Sequence, residues 1–304
     1  MSFPKISIII GTFNQCEVLE RVLTAYQTQT MDPQHFEVVV VDSGSSDGTH
    51  ALFGRFKPAF RLNAIIQQNK GKAAARNRAV AEASGEIIII TDADMIPDPN
   101  FVATHWEAHQ NSAKVQCFEG RTFNMNYLHW PPIPNEIYPY IKRNYAEMAP
   151  LGWYYFLTGN VSLPKSVFME EGGFDTDFTG YGWEDLELGY RLFQKKIPLS
   201  YLKSAVNYHY HVVHDQDEIA RNEKKGESAL VMLQKHPELK WFLGLNPLSV
   251  VVFRWLEKQP SRLNWFEKSG LASSNPWVKR FSHWLLGEFS YLKGLLGALD
   301  RTQA

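Results

Sequence analysis

Apolar residues cluster in short runs at residues 6–10, 36–41 and 87–90, the first two interrupted only by Ser7 and Glu37, and each run ends at a polar turn. Runs of this length, rich in Val and Ile, read as strands covered on both faces, as in the interior of a parallel sheet. A weaker run at 62–67 is a further strand. Between the runs the spacing changes to that of a helix: Val18, Leu19, Val22, Leu23 and Tyr26 share one face over 17–29, and 70–83 is a basic, alanine-rich helix. Strands alternating with helices predict an α/β fold, a mostly parallel sheet flanked by helices.

Beyond Pro97 the pattern predicts a helix at 101–110, then an irregular stretch rich in proline and aromatic residues from Tyr127 to Tyr155. Aromatic faces suit sugar rings, and they equally suit a loop folded over its own core. A strand, a short helix from Pro164 and a glycine turn follow within 158–175, then a helix opening at Glu184 and a strand over 206–215. The expected division is a domain at 1–215 and a helical extension at 216–304. The extension carries Trp255, Trp265, Trp277 and Trp284 among Lys and Arg, so it could lie on a membrane surface. A packed helical cap is the preferred reading, because no long uninterrupted apolar face is evident and glycines are expected to break the last helix.

With 304 residues, 44% hydrophobic and 21% charged, the chain can bury a full α/β core. A formal net charge of -1 argues against a nucleic-acid binder that neutralises many phosphates. Cys16 and Cys117 have no metal or disulfide spacing, which fits a reducing compartment. No signal-peptide pattern and no spanning apolar run is visible. The expected location is the cytoplasm, with peripheral contact at the inner face of the membrane left open.

The chemistry starts at residues 86–95, EIIIITDADM. In an extended chain Asp92 and Asp94 point the same way off the carboxyl end of a buried strand, where open α/β sheets bind ligands. Two like charges there call for a hard cation such as Mg2+ or Mn2+; a strand ending in an Asx turn is the competing reading. Gly11 and Thr12 could lie against a ligand, Phe13 could stack on a base, and Asp42 could bond a base or ribose or simply close a turn. Arg76 could meet a diphosphate or stay solvated. The absence of a GxxxxGK[ST] loop, and of GxGxxG after the first strand, weighs against kinase-like and dehydrogenase chemistry. Glu184 and Asp185 open a helix after an aromatic, glycine-flexed loop, a position that suits either a general base or a helix cap. His209 and His211 alternate on a strand and could both face the site.

SIIIGTFN at 7–14, VVVVDSGSSDGT at 38–49, NKGKAAARNRA at 69–79 and TDADM at 91–95 resemble a glycosyltransferase family 2 domain of the GT-A type. GGFD at 172–175 followed by GYGWEDLELGYRL at 180–192 resembles the carboxyl half of β-galactosyltransferases and chondroitin-type polymerases. The resemblance implies a Rossmann-like nucleotide-sugar half at 1–115 and an acceptor half at 116–215. It implies that Thr12, Phe13 and Asp42 hold uridine, that Arg76 and Asp92 lie near ribose or phosphate, and that Asp94 ligates the metal with His209, or alternatively His211. It assigns Asp185 as base beside Glu184, and Tyr181 and Trp183 to the acceptor, although Trp183 stands where that element often has glycine. The implied activity is inverting, metal-dependent transfer from a UDP-sugar to a saccharide or glycolipid in cell-surface polysaccharide synthesis. A nucleotidyltransferase and a non-catalytic nucleotide-sugar-binding module are the alternatives.

Overall fold

The amino-terminal apolar runs become strands whose two faces are both covered. In a computed structural model, which describes residues 4–128, 130–141, 143–210 and 215–303, the chain runs β1 (Ile6–Thr12), α1 (Cys16–Tyr26), β2 (Phe36–Asp42), α2 (Thr49–Arg55), β3 (Arg61–Ile66), α3 (Lys72–Glu82) and β4 (Ile87–Asp92). Ile8, Ile10, Val38 and Ile89 pack with Leu19, Val22 and Leu23 of α1. Their neighbours Ile9, Val39, Ile88 and Ile90 pack with Ala75, Ala79 and Val80 of α3 on the other face. Alternation is therefore invisible in the sequence because both faces are apolar. β1 lies parallel between β2 and β4, in a register that sets Thr12 opposite Asp42 and Gly11 opposite Asp92. Three strand ends thus meet at one edge.

After β4 the sheet departs from the parallel expectation. The strand stops at Asp92, the chain turns at Ala93 and Asp94, and β5 (Met95–Pro97) follows. The two aspartates are therefore not on one extended segment. Then come α4 (Phe101–Gln110), β6 (Cys117–Met125), β7 (Ile137–Pro139), β8 (Pro150–Leu151), β9 (Val161–Pro164), α5 (Lys165–Glu170), α6 (Glu184–Gln194) and β10 (Leu199–Tyr210). The strand order is β3-β2-β1-β4-β9-β6-β10-β5, with β7 on β6 and β8 on β10. β9 is antiparallel to both β4 and β6, and β5 to β10, so the sheet is mixed. A buried amide seam crosses this half: Asn207 donates to the Gly159 carbonyl at 2.7 Å and accepts from Thr122 at 2.7 Å. These elements form one compact unit, Met1–Thr176 with Glu184–Val212.

The second unit, Asp177–Trp183 with Val213–Ala304, is helical: α7 (Asp215–Lys235), α8 (Pro247–Glu257), α9 (Pro260–Trp265), a π-helical turn at Phe266–Gly270 and α10 (Pro276–Gln303). Contacts climb α7 and α10 together, Glu218 with His283, Glu223 with Lys293 and Glu227 with Arg301, so the two run parallel. The expectation that glycines break the last helix fails: α10 runs through Gly287, Gly294 and Gly297, and Gly294, like Gly226 of α7, lets the two backbones touch. A Cβ on Gly226 would stand 1.9 Å from the Tyr291 carbonyl oxygen, and one on Gly294 2.0 Å from that of Glu223. No helix among the described residues is long and apolar enough to cross a membrane.

Candidate active site

Lys72 and Arg76 lie one turn apart on α3 and so share a face that meets the end of β4. Lys72 Nζ stands 3.2 Å from Asp92 Oδ1, and Arg76 Nη2 donates to the same oxygen at 2.5 Å. Arg76 Nη1 donates to Glu184 Oε1 at 3.1 Å, at the first residue of α6. The guanidinium is fully buried, with the Phe174 ring 5.6 Å away. Burial alone would lower its pKa, yet Asp92, Glu184 and Asp185 outweigh that and hold it above its usual value. Lys72, Arg76 and His209 hold the Asp92 carboxyl below its ordinary range against the opposing effect of burial. Arg76 is thus engaged by carboxylates, and the half-exposed Lys72 is the cation beside Asp92 that solvent reaches.

Asp94 has a different partner. β10 runs antiparallel to β5 with His209 opposite Met95, and the Tyr210 N–H donates to the Asp94 carbonyl at 2.9 Å. This brings His209 Nε2 to 3.5 Å from Asp94 Oδ2, while His209 Nδ1 is 3.1 Å from Asn124 Oδ1 on β6. His209 thus has an amide partner at Nδ1 and faces the Asp94 carboxylate with Nε2. Asp94 Oδ1 is buried without a hydrogen-bond partner among the described residues. A carboxylate with an orphaned oxygen beside an imidazole nitrogen fits a small hard or borderline cation, whose remaining positions a diphosphate would fill. Among the described residues no third His, Cys, Asp or Glu joins them. The half-exposed Tyr140 ring stands edge-on to His209 at 6.4 Å. His211, the alternative ligand, lies outside the described residues, as does His214.

At the β1 and β2 ends the loops are stitched together. Asp42 is fully buried; it accepts from the Ser45 hydroxyl and the Ser45 and Gly44 N–H groups, and His50 Nε2 lies 2.7 Å away. Ser45 Oγ also accepts from the Asn14 N–H at 2.7 Å, and Asn14 accepts from the Ser46 N–H at 2.8 Å. Thr12 is buried with its hydroxyl oxygen unpartnered among the described residues, and Phe13 beside it is 47% exposed.

Asp185, in the first turn of α6, is partly buried, and its Oδ1 accepts from the Leu186 N–H at 2.8 Å. Burial first, and then the neighbouring Glu184 charge, push its carboxyl up from 3.8 to about 6. A carboxylate tuned toward neutral pH suits proton abstraction from a hydroxyl. Glu184, by contrast, is held by Arg76. The helix carrying both is locked: Arg191 bonds Glu187 and donates to the carbonyls of Glu171 and Gly173, while Asn77 of α3 exchanges two bonds with the Phe174 backbone. Trp183 corrects an expectation. Its ring is only 5% exposed, its indole N–H donates to the Lys225 carbonyl at 2.9 Å, and Phe242 and Tyr291 pack on it, so it anchors its own helical unit and offers no open face to a sugar. Tyr181 is half-exposed.

Sequence reasoning missed Lys72, Asn124 and Glu119. Lys72 could have been found four residues before Arg76 on one helix face. Asn124 became visible only with the pairing of β6 and β10. Glu119 is buried in β6 with its Oε2 accepting from the Leu157 N–H at 3.0 Å, and burial, with Asp185 adding to it, raises its carboxyl well above 4.5.

Residues 7–170 match the profile described as Glycosyl transferase family 2, and residues 143–215 match that described as N-terminal domain of galactosyltransferase. A validoxylamine A glucosyltransferase from Streptomyces hygroscopicus subsp. limoneus is 30% identical over 231 residues, covering 65% of this chain and 49% of that protein. Chondroitin synthase of Escherichia coli is 25% identical over 264 residues, covering 76% of this chain and 38% of the synthase. The chain therefore spans half or less of the length of these two relatives. Among solved structures, the mannosyltransferase PcManGT from Pyrobaculum calidifontis in complex with GDP-Man and Mn2+ superposes with a TM-score of 0.64 over 98% of this chain and 88% of that one, at 18% identity. At that identity the likeness concerns the fold, a mixed sheet of the GT-A kind with helices on its faces and a helical region at the carboxyl end.

Proposed function

Because the chain belongs to glycosyltransferase family 2, we propose that it moves a sugar from a UDP-sugar to a hydroxyl of a saccharide or glycolipid, with inversion and with a divalent cation, in cell-surface polysaccharide synthesis. The observation that carries this reading is the buried Arg76, which joins Asp92 at the end of β4 to Glu184, the residue before Asp185. It ties the strand end expected to hold the donor to the helix start expected to act on the acceptor.

In this reading Phe13 stacks on uracil while Thr12 Oγ1 and Asp42 take its polar edge or the ribose. Asp92, oriented by Arg76, lies at the ribose, and Lys72 offsets phosphate charge. Asp94 and His209 hold Mn2+ or Mg2+, which when bound would offset the negative charge gathering on the departing diphosphate. Asp185 accepts the proton of the attacking hydroxyl, and Glu184 and Arg76 fix the helix start that aims it. The half-exposed Tyr140, on the same unit as His209, offers an aromatic face to a sugar. Glu119, kept neutral, adds no second charge beside Asp185.

The test is a panel of UDP- and GDP-sugars with saccharide acceptors, reading nucleoside diphosphate release with and without Mn2+. A UDP-sugar should give metal-dependent UDP release. Pyrophosphate release would identify a nucleotidyltransferase, and binding without turnover a recognition module.

A further inference from the structure

The helical unit displays an apolar surface that its own packing does not use. On α8 the residues turned inward are Phe253 and Leu256, while Leu248, Val251, Val252 and Trp255 are exposed at spacings of three and four, which makes one stripe along the helix. α10 repeats this over its first turns, where Trp277, Phe281 and Trp284 form an exposed stripe that ends at the exposed Glu288. The stripes are continuous. A cavity of about 470 Å³ lies between them, lined by Val252 and Trp255 of α8, Arg262 and Trp265 of α9, and Phe281 and Leu285 of α10. Trp277 is 79% and Leu248 73% exposed, which a soluble surface does not favour.

Charge indicates what covers it. Between Trp241 and Trp284, Arg254 is paired with Glu257 and Asp300, which leaves Lys258, Arg262, Lys268, Lys279 and Arg280, all exposed, against Glu267, in a chain whose net charge is -1. Arg262 lies over the Trp255 ring at 4.9 Å and Arg280 over Trp277 at 5.9 Å, so cations and indoles are interleaved. A second copy docked face to face would bring these like charges together, whereas an anionic surface neutralises them. Indole rings also settle at the boundary between headgroups and acyl chains. We propose that the face formed by α8, α9 and the start of α10 docks on an anionic lipid bilayer, with the tryptophans in the headgroup layer and the basic residues against the phosphates. This inference stands whatever the transferase acts on.

The test is co-sedimentation of the full chain with phosphatidylcholine vesicles and with vesicles containing phosphatidylglycerol. Binding should require the anionic lipid and weaken as salt is raised. Trp277→Ala with Trp284→Ala, and separately Lys258→Glu with Arg262→Glu, should each lower the vesicle partition coefficient about tenfold or more, with helical circular dichroism unchanged. Brominated lipids should quench the tryptophan fluorescence of the unaltered chain, a readout that needs no variant. Absence of sedimentation and quenching with anionic vesicles overturns the proposal. So does a lipid-independent dimer in analytical ultracentrifugation that Trp277→Ala dissociates, since a second copy would then cover the face.

Discussion

Arg76 and Glu184, 108 residues apart in the chain, form a buried ion pair with Nη1 3.1 Å from Oε1. One helix of the amino-terminal half is thereby pinned to the helix start that carries Asp185. Neither residue is free to act alone. Removing the guanidinium would leave Asp92, Glu184 and Asp185 facing one another in a poorly solvated space. Arg76→Ala should therefore destabilise the first unit by about 3–5 kcal/mol in urea unfolding. A loss below about 1 kcal/mol would show that the pair is incidental.

Asp185 sets a pH dependence. Its carboxyl is raised from 3.8 to about 6, so the ionised form needed to accept a proton is lost as pH falls through about 6. kcat/KM should fall about tenfold per unit below that point and level off above it. Stability moves the other way: the native state holds this proton more tightly than the unfolded chain does, so the contribution present below 3.8 is lost as pH rises through about 6. Asp185→Asn should remove both dependences, and a limb that persists in the variant would assign it to another group.

Glu119 offers a similar test at a carboxyl near Asp185 that takes no part in the transfer. Burial raises its carboxyl well above 4.5, so it carries its proton in the folded chain. Glu119→Gln keeps the bond from the Leu157 N–H and should leave stability near pH 5 within about 0.5 kcal/mol. At higher pH the variant should become the more stable of the two, as the wild-type group is driven to ionise in a dry site. Equal unfolding curves at all pH values would contradict this.

The metal pair predicts graded losses. Asp94→Asn should abolish measurable Mn2+ binding in calorimetry with UDP present. Asn124→Ala frees the His209 ring and should weaken Mn2+ by about 10–100-fold. Unchanged affinity in both variants would remove Asp94 and His209 from the metal site.

The four amino-terminal strands and the helices between them were legible because a covered parallel sheet writes itself as apolar runs, and the motif order gave the family. The antiparallel insertion of β9 was not legible, since a four-residue strand carries no directional signal. The turn at Ala93–Asp94 was hidden for a related reason: aspartate serves a strand end and a turn equally, and only the approach of β10 decides it. Trp183 was misjudged because aromatic character tells nothing about which face of a ring is already covered. The membrane-surface reading of Trp255, Trp277 and Trp284 ranked below a packed cap in the sequence because the stripes of α8 and α10 each span only two or three turns and their periodicity matches that of an inward face.

The central claim is a single displacement in which Asp185 takes the acceptor proton. The most direct measurement is time-resolved proton NMR of the sugar transferred from an α-linked UDP-sugar, read at the anomeric coupling as the product first forms. One displacement must give the β anomer, formed about a hundredfold or more slowly by Asp185→Asn with donor affinity retained. An α-linked product, or a β product formed at full rate by Asp185→Asn, would contradict the account.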